Sequence, residues 1–173
     1  MLSFKHATHL VGHILASAVK EELPNAEVLQ SKDLEGRFWV DIHTSEKIDE
    51  YHLSRFRFLM DILLKEVRLF SHKSLSMEEI AELFPSQKLK MEEAAKMQLR
   101  FGTLIPAYQL DSHIDFCSCE VKDIVNLREI ETQGICELSF DASERNYISS
   151  DFTITRVSGH YFSNRHDVIT AKC

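Results

Sequence analysis

The sequence predicts an α+β fold in which an N-terminal histidine-bearing helix and a long second helix pack on a mostly antiparallel sheet. Two stretches have helical apolar spacing, several short runs are rich in β-formers or alternate in polarity, and polar turns separate them. The 173 residues are 44% hydrophobic and 27% charged, which suits one ordinary core. We therefore expect a single domain over residues 1–173.

The first predicted helix covers residues 3–22 and ends before Pro24. Its apolar residues share one broad arc at the 3.6-residue period, while His6, His9 and His13 gather within about 60° on the other side. The histidines therefore face either solvent or a cleft, and helical geometry alone favours solvent.

The other elements follow from β-former content, helical composition and capping signals, such as the capping box of Ser76 and Glu79. Further helices are predicted over residues 46–65, 77–84 and 90–100. Strands are predicted over residues 26–29, 37–43, 66–72, 103–110, 113–119, 135–140 and 152–161.

Charge and hydropathy limit the function classes. The net charge is −7, whereas nucleic-acid-binding domains usually present a basic face. The basic residues of the middle third are interleaved with glutamates, which favours a mixed-charge surface. No run approaches the ~18 apolar residues of a membrane helix, and no signal-peptide pattern is present, so we expect a cytoplasmic protein without a membrane partner.

Two fragments far apart in the chain contain residues suited to a metal or hydrolytic site. His9-Leu-Val-Gly-His13 lies on the first predicted helix, and Asp115-Phe-Cys117 ends an alternating, strand-like run. In a cytosolic protein, free thiols or metal ligands are more usual than disulfides. Histidine and cysteine are common zinc ligands, so the fragments predict a site if the fold brings them together.

These fragments resemble the editing domains of threonyl- and alanyl-tRNA synthetases and their free-standing trans-editing relatives. Those domains carry His-x-x-x-His on a first helix and Cys-x-x-x-His about a hundred residues later. In our matching of the two patterns, Lys5 takes the first histidine position and His9 the second. Cys117 takes the cysteine position and Val121 the last histidine. Residues 36–41 resemble a Gly-aromatic-aromatic-Asp strand of the same domains.

The resemblance implies hydrolysis of the ester between a wrong amino acid and the terminal ribose of a tRNA. That reaction needs a positioned water, a group that orients or deprotonates it, and a stabiliser of the developing oxyanion. The resemblance assigns His9 as base or ligand and Cys117 as ligand or part of the amino-acid pocket. Asp115 would orient a histidine or bind an amino group. Lys5 would contact a phosphate or the oxyanion.

A zinc site is one interpretation of the same residues, since zinc takes four protein ligands or three and a water. His9 and Cys117 supply two. His13 lies four residues from His9, and Cys119 lies two from Cys117, so the four would form a Cys2His2 set. The favoured alternative is a vestigial site without metal or other cofactor.

Three functions remain open from the sequence. Because Lys5 and Val121 stand at two histidine positions, a non-catalytic binding module derived from an editing domain is favoured. Its partner would be a tRNA, an aminoacyl-tRNA acceptor end or a protein. The alternatives are an active trans-editing hydrolase of mischarged aminoacyl-tRNA and a structural or assembly protein that uses only the scaffold. The sequence predicts no oligomeric state.

Overall fold

The structure is a computed structural model that describes residues 4–30, 37–66, 69–117, 125–126, 141–146 and 153–160. Within these ranges the chain forms four helices and two antiparallel sheets, so the predicted α+β class is confirmed. The helices are α1 (Phe4–Glu22), α2 (Glu50–Lys65), α3 (Met77–Leu83) and α4 (Lys88–Phe101). The strands are β1 (Glu27–Gln30), β2 (Arg37–His43), β3 (Leu69–Leu75), β4 (Ile105–Leu110), β5 (His113–Phe116), β6 (Val125–Asn126), β7 (Asp141–Asn146) and β8 (Thr153–His160).

The strands form two sheets where the sequence suggested one. The first has the order β1-β2-β8-β7 and the second the order β5-β4-β3-β6. The core around α1 contains Val40 and Val157 of the first sheet together with Phe70 and Tyr108 of the second. α1 therefore packs against both sheets.

The second sheet is covered on both faces. Its other face carries Ala107 and Phe116, which belong to a separate cluster with Ile80 of α3 and Met97 of α4. Alternation along β4 and β5 explains this division, because successive side chains of a strand point to opposite faces. None of the helices in the described residues is long and apolar enough to cross a lipid bilayer.

α2 begins later than predicted because its first turn is capped by Asp49. The carboxylate oxygen of Asp49 accepts hydrogen bonds from the backbone N–H groups of Tyr51 at 3.1 Å and His52 at 3.2 Å. The His52 side chain bonds back to the backbone N–H of Asp49 and completes a capping box. Residues 46–49 therefore precede the helix.

Two described strands were not predicted. β7 has the sequence Asp-Ala-Ser-Glu-Arg-Asn, which lacks β-branched and large apolar residues. It pairs with β8 over its whole length, so backbone pairing rather than side-chain pattern specifies it. β6 has only two residues. The predicted strand at 135–140 lies outside the described residues.

The capping box of α3 generates a prediction about stability. Ser76 Oγ accepts the backbone N–H of Glu79 at 3.2 Å, and the Glu79 carboxylate accepts the backbone N–H of Ser76 at 2.7 Å. Ser76→Ala should lower the free energy of unfolding by about 1 kcal/mol, because it leaves a first-turn N–H without its acceptor. Urea denaturation measures this change. The exposed strand residue Ser74 supplies the control, and an equal loss in Ser74→Ala would contradict the capping role.

Candidate metal and hydrolytic site

α1 places His9 and His13 on one side, since residues four apart on a helix are neighbours. His13 is fully buried and His9 is half-buried. Of the two alternatives, the favoured one, that the histidines face solvent, is wrong for His13, and the cleft alternative describes the observed position. The periodicity of α1 correctly excluded them from its apolar arc, but it carried no information about a second sheet on the histidine side.

Both histidines contact Cys117, the residue that follows β5. The distance from His9 Nε2 to Cys117 Sγ is 3.0 Å, and that from His13 Nε2 to Cys117 Sγ is 3.1 Å. The two Nε2 atoms lie 3.0 Å apart. The three atoms thus form a nearly equilateral triangle, built from residues 104 and 108 positions apart in the chain.

Aromatic packing holds the His13 ring in place. The His13 ring lies 3.8 Å from the Tyr108 ring and 5.2 Å from the Phe70 ring, measured between centroids. Tyr108 and Phe70 stack on each other at 5.2 Å. Both come from the second sheet, so the sheet that supports Cys117 also orients His13.

The triangle fits a metal ion in its donor set and its dimensions. His9, His13 and Cys117 form a group that could hold a metal ion, and their donors are two imidazole nitrogens and one sulfur. In a tetrahedral zinc site, standard bond lengths separate such ligand atoms by about 3.3 to 3.6 Å. The observed separations of 3.0 to 3.1 Å are slightly shorter.

Hydrogen bonding accounts for the triangle less completely than a cation does. A ring nitrogen that donates its proton has no lone pair left to accept one. At most two of the three contacts can therefore be ordinary linear hydrogen bonds at the same time. A cation bound by all three lone pairs would account for every contact. Three protein ligands would also leave a position for water, as in catalytic zinc sites.

Some of the remaining predicted site residues are not among the residues that the structure describes. Cys119 and Val121 fall outside the described residues. Lys5 lies on α1 one turn before His9, and only its backbone is described. The proposed participation of Lys5 and Cys119 therefore stays a prediction.

Asp115 lies on β5, two residues before Cys117, and is buried. Its carboxylate accepts a hydrogen bond from the ammonium group of Lys90 on α4 and another from the backbone N–H of Phe116 at 2.7 Å. Both side chains of the ion pair are only 2% exposed. Asp115 is thus bonded to a lysine rather than to a histidine.

Lys90 is a site residue that sequence reasoning missed. It was included in a basic cluster interpreted as a mixed-charge surface, yet its ammonium group lies 5.2 Å from the Phe84 ring and 5.1 Å from that of Phe116. Helical spacing could have found it, because Lys90, Ala94 and Met97 follow the i, i+4, i+7 pattern of a buried face.

A second lysine lies near the buried pair. The Lys20 ammonium donates hydrogen bonds to the carbonyl oxygens of Pro24 and Ala26, each at 2.8 Å. Burial lowers the pKa of Lys20, and the positive charge of Lys90 lowers it further, while Asp115 and Glu27 act in the opposite direction.

Glu27 ties the first sheet to α4. Its carboxylate accepts the backbone N–H groups of Leu89 at 2.7 Å and Lys90 at 3.2 Å, which are among the first amides of α4. Helix N-termini carry unsatisfied donors and a partial positive charge, so a carboxylate stabilises them. This cap fixes the helix end that supplies Lys90.

His113 belongs to the same polar region. It lies two residues before Asp115 on β5, and its ring centroid is 5.9 Å from that of Tyr108. Burial lowers the pKa of His113; Lys90 and Lys20 add to that effect, and Asp115 opposes it. Within the described residues its Nε2 atom is buried and has no hydrogen-bond partner. The neutral imidazole is therefore the favoured form.

Comparison with known proteins finds similarity to threonine–tRNA ligases. It is 25% identical over 158 residues to the threonine–tRNA ligase of Nautilia profundicola, which covers 91% of this chain and 24% of the ligase. It is 22% identical over 160 residues to that of Borreliella afzelii, with 92% and 27% covered. The chain is similar to a segment of threonine–tRNA ligases. No protein-family profile matches it.

A third relative gives the same picture. The threonine–tRNA ligase of Desulforamulus reducens is 25% identical over 139 residues, or 80% of this chain and 22% of the ligase. The chain spans about a quarter of the length of the curated relatives it matches. The similarity therefore supports a synthetase-related domain and leaves its activity to be proposed.

The geometry of the triangle generates a prediction about metal content. Protein purified without an affinity histidine tag should contain about one equivalent of zinc, and His13→Ala should lose it because one of three donors is gone. Elemental analysis after gel filtration measures the content. His43→Ala, which changes a histidine of the first sheet, should retain the metal. Metal-free wild-type protein that takes up no added zinc would contradict the prediction.

The depressed pKa of His113 generates a prediction about pH. In the unfolded chain the His113 imidazole gains a proton as the pH falls below the ordinary histidine pKa near 6.5. In the folded protein the pKa of His113 is lower, so its protonation requires a more acidic solution. Acid therefore favours unfolding. The urea midpoint should therefore fall between pH 7.5 and pH 5.5, and less steeply in His113→Gln than in wild type. His43→Gln is the control. An unchanged slope in His113→Gln would show that this histidine does not contribute.

Proposed function

We propose that this domain hydrolyses the ester bond of mischarged aminoacyl-tRNA. The observation that carries the proposal is the convergence of His9, His13 and Cys117 on one point, with His9 half-buried and so accessible to a substrate. The similarity to proteins named threonine–tRNA ligases supports a substrate that contains tRNA.

We infer that His9 and His13, rather than Lys5 and His9, occupy the two histidine positions of the editing-domain pattern. Their spacing is His-x-x-x-His, and both contact Cys117. This assignment differs from the matching of Lys5 and His9 by one helical turn. With this assignment only Val121 departs from the pattern. Lys5 is then no longer a substitution that argues for a non-catalytic module.

If the site holds no metal, His9 orients a water against the ester carbonyl and accepts its proton in the proposed reaction. His13 and Cys117 are buried and hold the Nε2 edge of the His9 ring through their contacts at 3.0 Å. If zinc is bound by the three side chains, it supplies a water ligand of lowered pKa, and the three residues serve as its ligands. Lys5 remains the candidate for a phosphate or oxyanion contact.

Lys90 and Asp115 act as positioning residues in this proposal. The buried pair anchors β5 to α4 two residues before Cys117, so it sets the position of the sulfur relative to α1. Removal of one partner from a buried ion pair leaves an uncompensated charge. Substitution of Lys90 would therefore displace Cys117 without removing a group that touches the substrate.

The activity prediction concerns His9. His9→Ala should reduce hydrolysis of mischarged tRNA by about 100-fold to 10,000-fold, the usual contribution of a general base, with tRNA affinity changed much less. The measurement is release of labelled amino acid from a panel of threonine, alanine and proline tRNAs, each charged with a wrong amino acid. His43→Ala is the matched control. Absence of hydrolysis by wild-type protein across the panel would overturn the proposal.

A binding module is the second candidate, and Val121 favours it because this residue stands where the pattern has its last histidine. The two candidates differ in their response to Val121→His. For a module that lost catalysis through this position, the substitution should create hydrolysis where wild type has none, with unchanged tRNA binding. An active wild-type enzyme that gains little from Val121→His would favour the hydrolase.

A further inference from the structure

A cluster of polar side chains lies where β5 meets α1 and α4. Its members, which we call the junction cluster, are Lys20 of α1, Glu27 of β1, Lys90 of α4, and His113 and Asp115 of β5. Lys90 and Asp115 form the buried ion pair. In the ranges that the structure describes, the Nε2 atom of His113 is buried and has no hydrogen-bond partner. A buried polar atom without a partner favours a rearrangement that brings it into contact with water.

His113 and Asp115 point to the same side of β5. Alternate residues of a strand share a face, and the intervening Ile114 packs with the apolar cluster of α3 and α4 on the other side. Tyr108 pairs with Asp115 across the sheet and contacts His13 of α1, so the shared side faces α1. Along the strand the two residues are about 6.8 Å apart, which is close enough for their charges to interact.

The charges of the junction cluster oppose a proton on His113. Burial lowers the pKa of His113, the positive charges of Lys90 and Lys20 lower it further, and Asp115 acts in the opposite direction. The Asp115 carboxylate is already engaged, because its Oδ1 atom accepts hydrogen bonds from Lys90 and from a backbone N–H. Glu27 faces Lys20 and caps α4. An imidazolium would therefore be a third cation beside two carboxylates.

The strand that carries His113 is placed to open locally. β5 has four residues, and within the described chain it is an edge strand that pairs with β4 alone. His113 is its first residue, is half-buried, and pairs with Leu110 beside the turn that joins the two strands. The ends of short edge strands open at a lower free-energy cost than the whole domain.

We propose that protonation of His113 detaches the start of β5 from α4 and separates Asp115 from Lys90. In the opened form the imidazolium is hydrated and farther from the two lysines, so this form binds a proton more tightly than the closed form does. Acid therefore shifts the population toward the opened form. The junction cluster acts as an acid-sensitive latch.

The latch controls the candidate site through the end of β5. Cys117 follows this strand directly, so the opening moves its sulfur away from the two histidines of α1. Neutral solution keeps the triangle assembled, and acid takes it apart before the domain unfolds. The latch requires neither a bound metal nor hydrolysis of a tRNA ester, so it stands or falls independently of the proposed function.

Two backbone amides report the opening. The Phe116 N–H donates to Asp115 Oδ1 at 2.7 Å, and the Cys117 N–H donates to the Pro106 carbonyl at 2.9 Å. After correction for the intrinsic pH dependence of exchange, both amides should exchange about tenfold faster below the titration midpoint of His113 than above it. Hydrogen exchange detected by NMR on the full chain, between pH 7.5 and pH 5, measures the rates, and the imidazole carbon and proton signals give the midpoint.

Two variants separate the latch from a general effect of acid. His113→Gln should show no acceleration of the two amides, because glutamine stays neutral over this range. His43→Gln changes a histidine of the first sheet and should respond as wild type does. The amides of β2, which lies between β1 and β8, should stay protected in every variant at every pH of the series.

Four outcomes would overturn the proposal. The first is a His113 imidazole that does not titrate above the pH at which the domain unfolds. The second is a titration of His113 without faster exchange at Phe116 and Cys117. The third is an equal acceleration in His113→Gln. The last is a simultaneous loss of protection in β2, which would show global unfolding rather than a local opening.

Discussion

The burial of α1 between two sheets is the constraint on which the rest of the structure depends. One arc of this helix packs against the first sheet, and the opposite side meets Tyr108 and Phe70 of the second. A helix buried on all sides is normally apolar all round. His13 is the exception at full burial, and a buried polar group needs partners. Its contacts with His9 and Cys117 provide partners for the Nε2 atom and create the site at the same time.

The polar contacts behind the site add to apolar contacts that already join α4 to both sheets. Glu27 of the first sheet caps α4, and α4 supplies Lys90 to Asp115 on the second sheet. Buried ion pairs contribute little net stability, because desolvation opposes the attraction between the charges. A positional role therefore explains Lys90 and Asp115 better than a contribution to stability does. β5, which ends one residue before Cys117, is connected in this way to both α4 and the first sheet.

The similarity to threonine–tRNA ligases suggests a chemical role only when it is combined with the geometry of His9, His13 and Cys117. Similarity over about a quarter of a ligase identifies a segment and no activity. The matching of Lys5 and His9 to the histidine pattern left two substitutions, which favoured a binding module. The contacts of His9 and His13 with Cys117 support a matching that leaves one substitution, and this matching favours the proposed hydrolase over a binding module. A difference of one helical turn therefore changes the interpretation of the whole site.

Local order was largely predictable from the sequence. β2 was predicted with the observed bounds, and α1 and α3 each differed by one residue, because apolar periodicity and capping boxes act over a few neighbouring residues. Pairing between strands was less accessible, and β7 was missed because its neighbours rather than its composition specify it. Asp115 and Cys117 were identified as site residues by their chemistry, and His9 and His13 were named with Cys117 as candidate ligands. Lys90 was not recognised as the partner of Asp115.

The sequence by itself determined the α+β class, the helix that carries the histidines and the residue types able to bind a metal or activate water. Only the tertiary structure decided that α1 serves two sheets, that His13 is buried and that Lys90 pairs with Asp115. The physical reason is the separation in sequence between the residues that interact. Periodicity indicates which side of an element is apolar, whereas the partner of its other side comes from residues more than a hundred positions away, as Cys117 is from His9.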